Sequence, residues 1–273
     1  MVHGGATLPA LRSCWACAQM SSERSPPAPP LPPLLAGEVP AALASVLSAC
    51  TCGSPEQELL ALRDRLWLRE GTPQPPHVSF YRYIEPVLQD GPKCGLVALS
   101  MASSCTAHPL PVDRLLREAR LRGFTNHGEM FSADDMASLA RDLLRPCREV
   151  EVLRQGLDDR EYVVRCVSRG GVLLVPYDAD ANHSPCCRRG HKAHWAVVSG
   201  ILVSQRRCHL VARQGKSRHL AVWPYEDLRL SNLNLFELDP ARAADGRSYV
   251  LPAGGVAAGL RGRAVMLHGL GGP

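Results

Sequence analysis

The sequence predicts an α+β fold in which a helical first half packs on an antiparallel sheet built by the second half. Two observations carry that prediction. Apolar residues recur at helical spacing up to Leu143, and from Val150 onward the pattern changes to short runs with a period of two or with no polar interruption. No internal repeat is visible. At 273 residues and 45% hydrophobic content the chain has ample material for a core.

In order, residues 1–53 lack periodicity, and the prolines of SPPAPPLPPLL at 25–35 are dense enough to hold an extended polyproline shape. That head is either a spacer or a ligand. Cys14-Trp15-Ala16-Cys17 has the spacing of a redox pair, but no strand precedes it. Residues 54–76 read as a helix and linker: Ser54 caps, Pro55 takes the first position, and Leu59, Leu62 and Leu66 form the apolar stripe. The main domain is expected over 77–268, followed by a tail at 269–273.

Within the domain, residues 78–83 are β-prone and aromatic, and Gly91-Pro92 marks a turn before the apolar run from Cys94 to Ala102. Such a run is a helix buried on every side. Residues 113–122 form an amphipathic helix through Leu115, Leu116 and Ala119, stopped by Gly123. Ser132 and Asp135 cap another helix, which turns Met136, Leu139, Ala140 and Leu143 inward. Strands are expected at Val150 and Val152, then at 172–175, 194–203, 208–213, 219–223, 232–238 and 249–251.

Chemistry concentrates in two stretches. Cys94 opens the buried helix, where unsatisfied N–H groups and the positive end of the dipole favour a thiolate. Gln89, across the turn, can return its amide to an oxygen that gains charge there. Far along the chain, Gly190-His191-Lys192-Ala193-His194-Trp195 leads into an apolar strand, which holds His194 at the lip of a sheet as a candidate base. If the next strand runs antiparallel, Gln214 returns beside His194 and takes the orienting place, where Asp or Asn is commoner. Arg188, Arg189 and Lys192, just before His194, are candidates to bind substrate carboxylates. Asp178, Asp180 and Glu129 read as solvated loop carboxylates.

A Gln, then Cys-Gly opening an apolar helix, then His-Trp-Ala-Val-Val on a strand resembles the papain-like cysteine peptidases, in the branch related to the bacteriocin-processing peptidases. The stretches GPKCGLVAL, HGEMFSADDM, GHKAHWAV, RQGKS and DGRSYVLP are similar, closer still, to the actin-maturing peptidases of that branch. The resemblance covers roughly residues 80–268 and implies a papain-like fold with Cys94 as nucleophile and His194 as base. It also implies removal of an N-acetylated Cys or Met from immature actin, with profilin as a partner for the Pro-rich head.

A net charge of +5 without an arginine-rich run interleaved with aromatics gives no footing for nucleic acid. The first twenty residues hold neither a clean secretory signal nor a membrane span, and eleven cysteines, an odd number, suit free thiols. The expectation is a soluble, cytoplasmic protein that needs neither metal nor cofactor. Two rivals stay open. His183, Cys186, Cys187, His191 and His194 crowd one loop as zinc ligands do, though without a second paired arm; and the Pro-rich head is open to a reading of the chain as a non-catalytic adaptor.

Overall fold

The structure, a computed structural model, describes residues 57, 59–64, 76, 78–145, 147–204 and 207–271. The Cys14–Cys17 quartet, the Pro-rich segment, the helix start at Ser54 and Pro55, and Leu66 lie outside them. All described residues belong to the unit spanning 33–273.

Eight strands form one sheet: β1 (Val78–Tyr81), β2 (Glu149–Leu153), β3 (Val172–Ala179), β4 (Pro185–Cys186), β5 (Ala193–Val203), β6 (Cys208–Gln214), β7 (Ala221–Pro224) and β8 (Ala264–His268), ordered β2-β8-β3-β5-β6-β7 with β1 joined to β5 and β4 to β3. Every described strand pair is antiparallel. The longest strand, β5, is buried from its second residue onward because it is covered on both edges and both faces.

The helical half packs on this sheet. Helix α1 (Cys94–Ser103) buries Gly95 through Ser103 and lies against β5 and β6. It explains its own uniform apolarity: a helix wrapped by sheet and by other helices has no wet face. Helix α2 (Val112–Leu121) turns Leu115 and Ala119 inward and is stopped by Gly123 at φ +70°. Helix α3 (Ala133–Leu143) starts as its capping residue requires, with Ser132 accepting the Asp135 N–H at 3.1 Å. The α+β class with helices on an antiparallel sheet is therefore as expected. In the preceding helical stretch, Leu59 packs with Leu202, Val211 and Leu220, against the sheet.

Two expected strands are corrected. Residues 232–238 begin in helix α5 (Tyr225–Leu233), whose first turn follows Pro224 and carries Glu226 and Asp227. The rest is irregular, and its backbone N–H groups at Phe236 and Glu237 both go to Arg189 O at 2.9 Å. The period of two there reflects Leu235 buried and Phe236 exposed on a loop, not a ladder. Residues 249–251 are irregular as well, with no ladder partner among the described residues. Sequence periodicity also missed helix α4 (Arg160–Ser168), which buries Val163, Val164 and Val167 and is capped by Asp159, whose side chain accepts the Tyr162 N–H at 2.9 Å. It missed β8, a five-residue run flanked by glycines.

Candidate active site

Gly91 takes φ +71°, a conformation open to glycine, and the turn delivers Cys94 to the first position of α1. Lys93 stands at the cap without a side-chain hydrogen bond, so the start of the helix receives no capping bond from it. A Cβ on Gly95 would come within 2.9 Å of Met130 Cβ, and this close fit presses the loop before α3 onto the helix start. The half-buried Cys94 thiol faces the Trp195 N–H, one residue past His194. Burial pushes the thiol up, while the Trp195 N–H, Arg242, the Gly95 N–H and Lys216 pull it back. The expected lowering at a helix start is thus overturned by desolvation.

His194 is buried at the second position of β5 and pairs across the ladder with Tyr177, the two rings meeting edge-on. Burial, then the positive charge of Lys216, lower its imidazole to about 4, opposed by a hydrogen bond with Gln214. Gln214 faces Ala196 in the register, which puts its side chain on the same face as His194. Its Oε1 accepts the Lys216 N–H at 2.6 Å, and Nε2 of His194 is buried with no partner among the described residues. Burial thus works against the charged form of both the thiol and the imidazole.

Gln89 joins the same corner. Its backbone N–H donates to Gly215 O at 2.8 Å and its Nε2 to Gly91 O at 2.8 Å, and a Cβ on Gly215 would stand 3.0 Å from Gln89 Oε1. The turn after Gln214 therefore carries Gln89 on its back. The amide that could meet an oxyanion uses one of its N–H bonds on the turn and keeps the other.

The loop before His194 is organised from beneath. Asp178 is fully buried: its Oδ2 accepts the N–H groups of Arg188 and Gly190 at 2.8 Å each, and its Oδ1 accepts that of Lys192 at 2.9 Å. The solvated reading of Asp178 is wrong, and so is that of Glu129, which is buried too. Asp180 keeps to its loop, accepting from Asn182 N and Ser184 N at 2.8 Å each. Arg189 pairs with Glu237 at 2.8 Å and Lys192 with Asp239 at 3.5 Å, while Arg188 bonds the Cys186 thiol. Two of the three proposed carboxylate-binding cations thus already hold carboxylates of this chain. The basic residues that act on Cys94 and His194 are Lys216 and Arg242, which the sequence did not single out because neither lies near them in the chain.

The seven described cysteines are free. Among the described residues no three His, Cys, Asp or Glu side chains are placed to share a metal ion. The crowded loop disperses: His191 turns to Glu237 at 3.0 Å, Cys186 sits on β4 and His194 enters β5. Also among them, no helix is long and apolar enough to cross a membrane.

Comparison with known proteins bears on this geometry. Residues 84–202 match a family model described as "Actin maturation protease-like, C-terminal domain". The actin maturation protease of Drosophila melanogaster is 42% identical over 201 residues, covering 72% of this chain and 73% of that protein. That of Danio rerio is 39% identical over 228 residues, covering 69% and 74%. The Bos taurus protein is 42% identical over 232 residues, and the match spans 70% of this chain and 66% of that protein, just under two thirds of its length. Among solved structures, a putative C39-like peptidase from Bacillus anthracis superposes with a TM-score of 0.49 at 12% identity, covering 71% of this chain and 100% of that one.

Proposed function

The chain belongs to the actin maturation protease family, and from that premise we propose that it is a cysteine aminopeptidase that removes the N-acetylated Cys or Met from the amino terminus of immature actin. The observation that carries the reading is the Cys94 thiol at the uncapped start of α1, against the N–H of the residue that follows His194.

In this mechanism the Cys94 sulfur attacks the scissile carbonyl carbon while His194 takes the thiol proton. The oxygen gains negative charge beside the free helix N–H groups and the remaining Gln89 N–H, which stabilise it. Collapse breaks the C–N bond, and His194 returns its proton to the leaving amine. Water, deprotonated by His194, then opens the thioester, releasing the acyl amino acid and restoring the thiol. Gln214 keeps the imidazole oriented and favours its charged form during both transfers.

The remaining parts of the reading are that the protein acts in the cytoplasm and that the Pro-rich segment at 25–35 docks in an aromatic groove of profilin. The deciding experiment incubates the full chain with acetylated and free amino-terminal peptides and reads products by mass, with Cys94→Ala as control. Release of a single acetylated residue by the parent, and none by Cys94→Ala at unchanged folding, is expected. Internal cleavage, or full activity in Cys94→Ala, overturns the reading.

A further inference from the structure

The hairpin that joins β3 to β4 stands on the catalytic face of the sheet, and the mechanism above leaves it unused. The two strands pair as far as Ala179 and Pro185, so residues 180–184 form the tip. Tyr177 and His194 are cross-strand partners that turn their side chains to one face, where the rings meet edge-on at 5.8 Å. On that face the Tyr177 hydroxyl donates to His183 O at 2.9 Å, so the tip folds back over the tyrosine that packs on the base.

His183 is held there against its own preference. Its φ is +63°, a left-handed backbone that glycine adopts freely and a residue with a Cβ does not. The tip imposes it: the His183 N–H donates to Asp180 O at 3.1 Å, and the Asp180 carboxylate accepts the N–H groups of Asn182 and Ser184, on either side, at 2.8 Å each. These bonds engage the backbone of the tip, so they fix where His183 stands without occupying its ring. The half-buried imidazole is near enough that its charge bears on His194. Strain kept beside a reacting group asks for a role, and the dispersal of the crowded loop leaves His183 without one.

We propose that His183 is a specificity-determining residue that donates a hydrogen bond to a side-chain carboxylate on the substrate residue whose amine leaves. This rests on the aminopeptidase reading above. His194 returns its proton to that amine, so the amine stands beside His194, and the side chain next to it meets the groups that flank the base on this face. Lys216 and Arg242 also bear on His194, which makes the surroundings cationic, while Asp180 is turned back onto its own loop. An acidic side chain is therefore favoured there over a neutral or basic one. The two cations attract it from a distance; His183, with a ring N–H to give, fixes it at one position.

The test uses three acetyl-Met peptides: one with Asp as the second residue, one with Ala there, and one with Ala there and the Asp moved two places along. kcat/KM is measured on the full chain and binding, by calorimetry, on the full-length Cys94→Ala chain. The parent is expected to favour Asp over Ala at the second residue by about fivefold or more. His183→Gly removes the ring and relieves the backbone, and it should bring that ratio down to what the distant Asp shows. His183→Asn tolerates the left-handed backbone with a shorter side chain and should keep part of the ratio at most. An undiminished ratio in either variant, or an equal loss for the near and the distant Asp, overturns the assignment. If His183→Gly fails to fold, an undiminished ratio in His183→Asn does so alone. A His183-dependent preference in binding without turnover of any peptide supports the assignment and sinks the aminopeptidase reading; turnover with a preference indifferent to His183 does the reverse.

Discussion

The Tyr177 ring stands edge-on to His194, with centroids 5.8 Å apart and planes at 76°. Tyr177 is itself wedged against Trp223 at 5.1 Å and anchored by its hydroxyl, which donates to His183 O at 2.9 Å. The imidazole is therefore held in an aromatic column that fixes its plane and excludes water. Orientation and desolvation have the same cause.

That desolvation sets the pH dependence. Burial, then Lys216, lower His194 to about 4, against about 6.5 in an unfolded chain. Between those values the unfolded chain binds a proton that the native chain does not. Stability is thus expected to fall as pH drops from about 6.5 toward 4, with His194→Gln flattening that slope in denaturant titrations. In the proposed mechanism the neutral imidazole is the base, so the acid limb of kcat/KM should lie near 4. A limb between 6 and 7 would show that His194 is solvated and that the column does not act as described.

The turn under Gln89 offers a second check. In the proposed mechanism Gln89→Ala removes one oxyanion donor, and it is expected to lower kcat by about a hundredfold to a thousandfold with KM little changed. Gly215→Ala puts a methyl group 3.0 Å from Gln89 Oε1 and from Val97 Cγ1, so it should displace the same amide and lower kcat in the same sense by less. If Gly215→Ala leaves kcat untouched while Gln89→Ala removes activity, Gln89 works without support from the turn. Parent-like rates for Gln89→Ala on a slow amide would take it out of the mechanism.

Asp178 gives a stability prediction. Its two oxygens receive three backbone N–H groups in a site closed to water. Asp178→Asn exchanges a charged acceptor for a neutral one and turns an NH2 toward a donor, which is expected to cost about 1.5–3 kcal/mol. Thermal unfolding measures the loss directly. A melting temperature within a degree of the parent would mean that the loop holds itself.

How much of this was legible depended on the range of the interaction that decides each feature. The places of Cys94 and His194 in the fold were readable because each sits at a local boundary, a Gly-Pro turn into an apolar helix and a His opening an apolar strand. Gln214 followed from one further step, the antiparallel return of β6, which the register bears out. Asp178, Lys216, Arg242 and Glu129 were not readable. Asp178 is tied to N–H groups ten to fourteen positions away, and Arg242 reaches the site from a segment to which no element was assigned, so no window of local periodicity contains them. Residues 160–168 failed for a different reason: three valines carry β propensity, and packing against the sheet overrode it.

The last prediction concerns charge selection, where the structure redirects the expectation placed on Arg188, Arg189 and Lys192. The Arg189 guanidinium and His191 hold the Glu237 carboxyl down to about 2, and Lys192 pairs with Asp239. A substrate carboxylate arriving at this loop must displace one that is already tethered, so little selectivity is gained. Lys216 and Arg242 have no ion pair with a carboxylate among the described residues, and both bear on Cys94 and His194. Replacing Arg188, Arg189 and Lys192 together by Ser is therefore expected to change KM for acidic and neutral peptides about equally. The pair Lys216→Ser and Arg242→Ser should raise KM for acidic peptides by several-fold, roughly, and flatten its salt dependence, with neutral peptides little affected. Glu237→Gln provides the converse arm: it releases Arg189 and should create a preference for acidic peptides that the parent loop lacks. Steady-state rates at two salt concentrations separate these outcomes. Selectivity lost in the loop triple and kept in the Lys216, Arg242 pair would return the role to the loop and show that its ion pairs open for substrate.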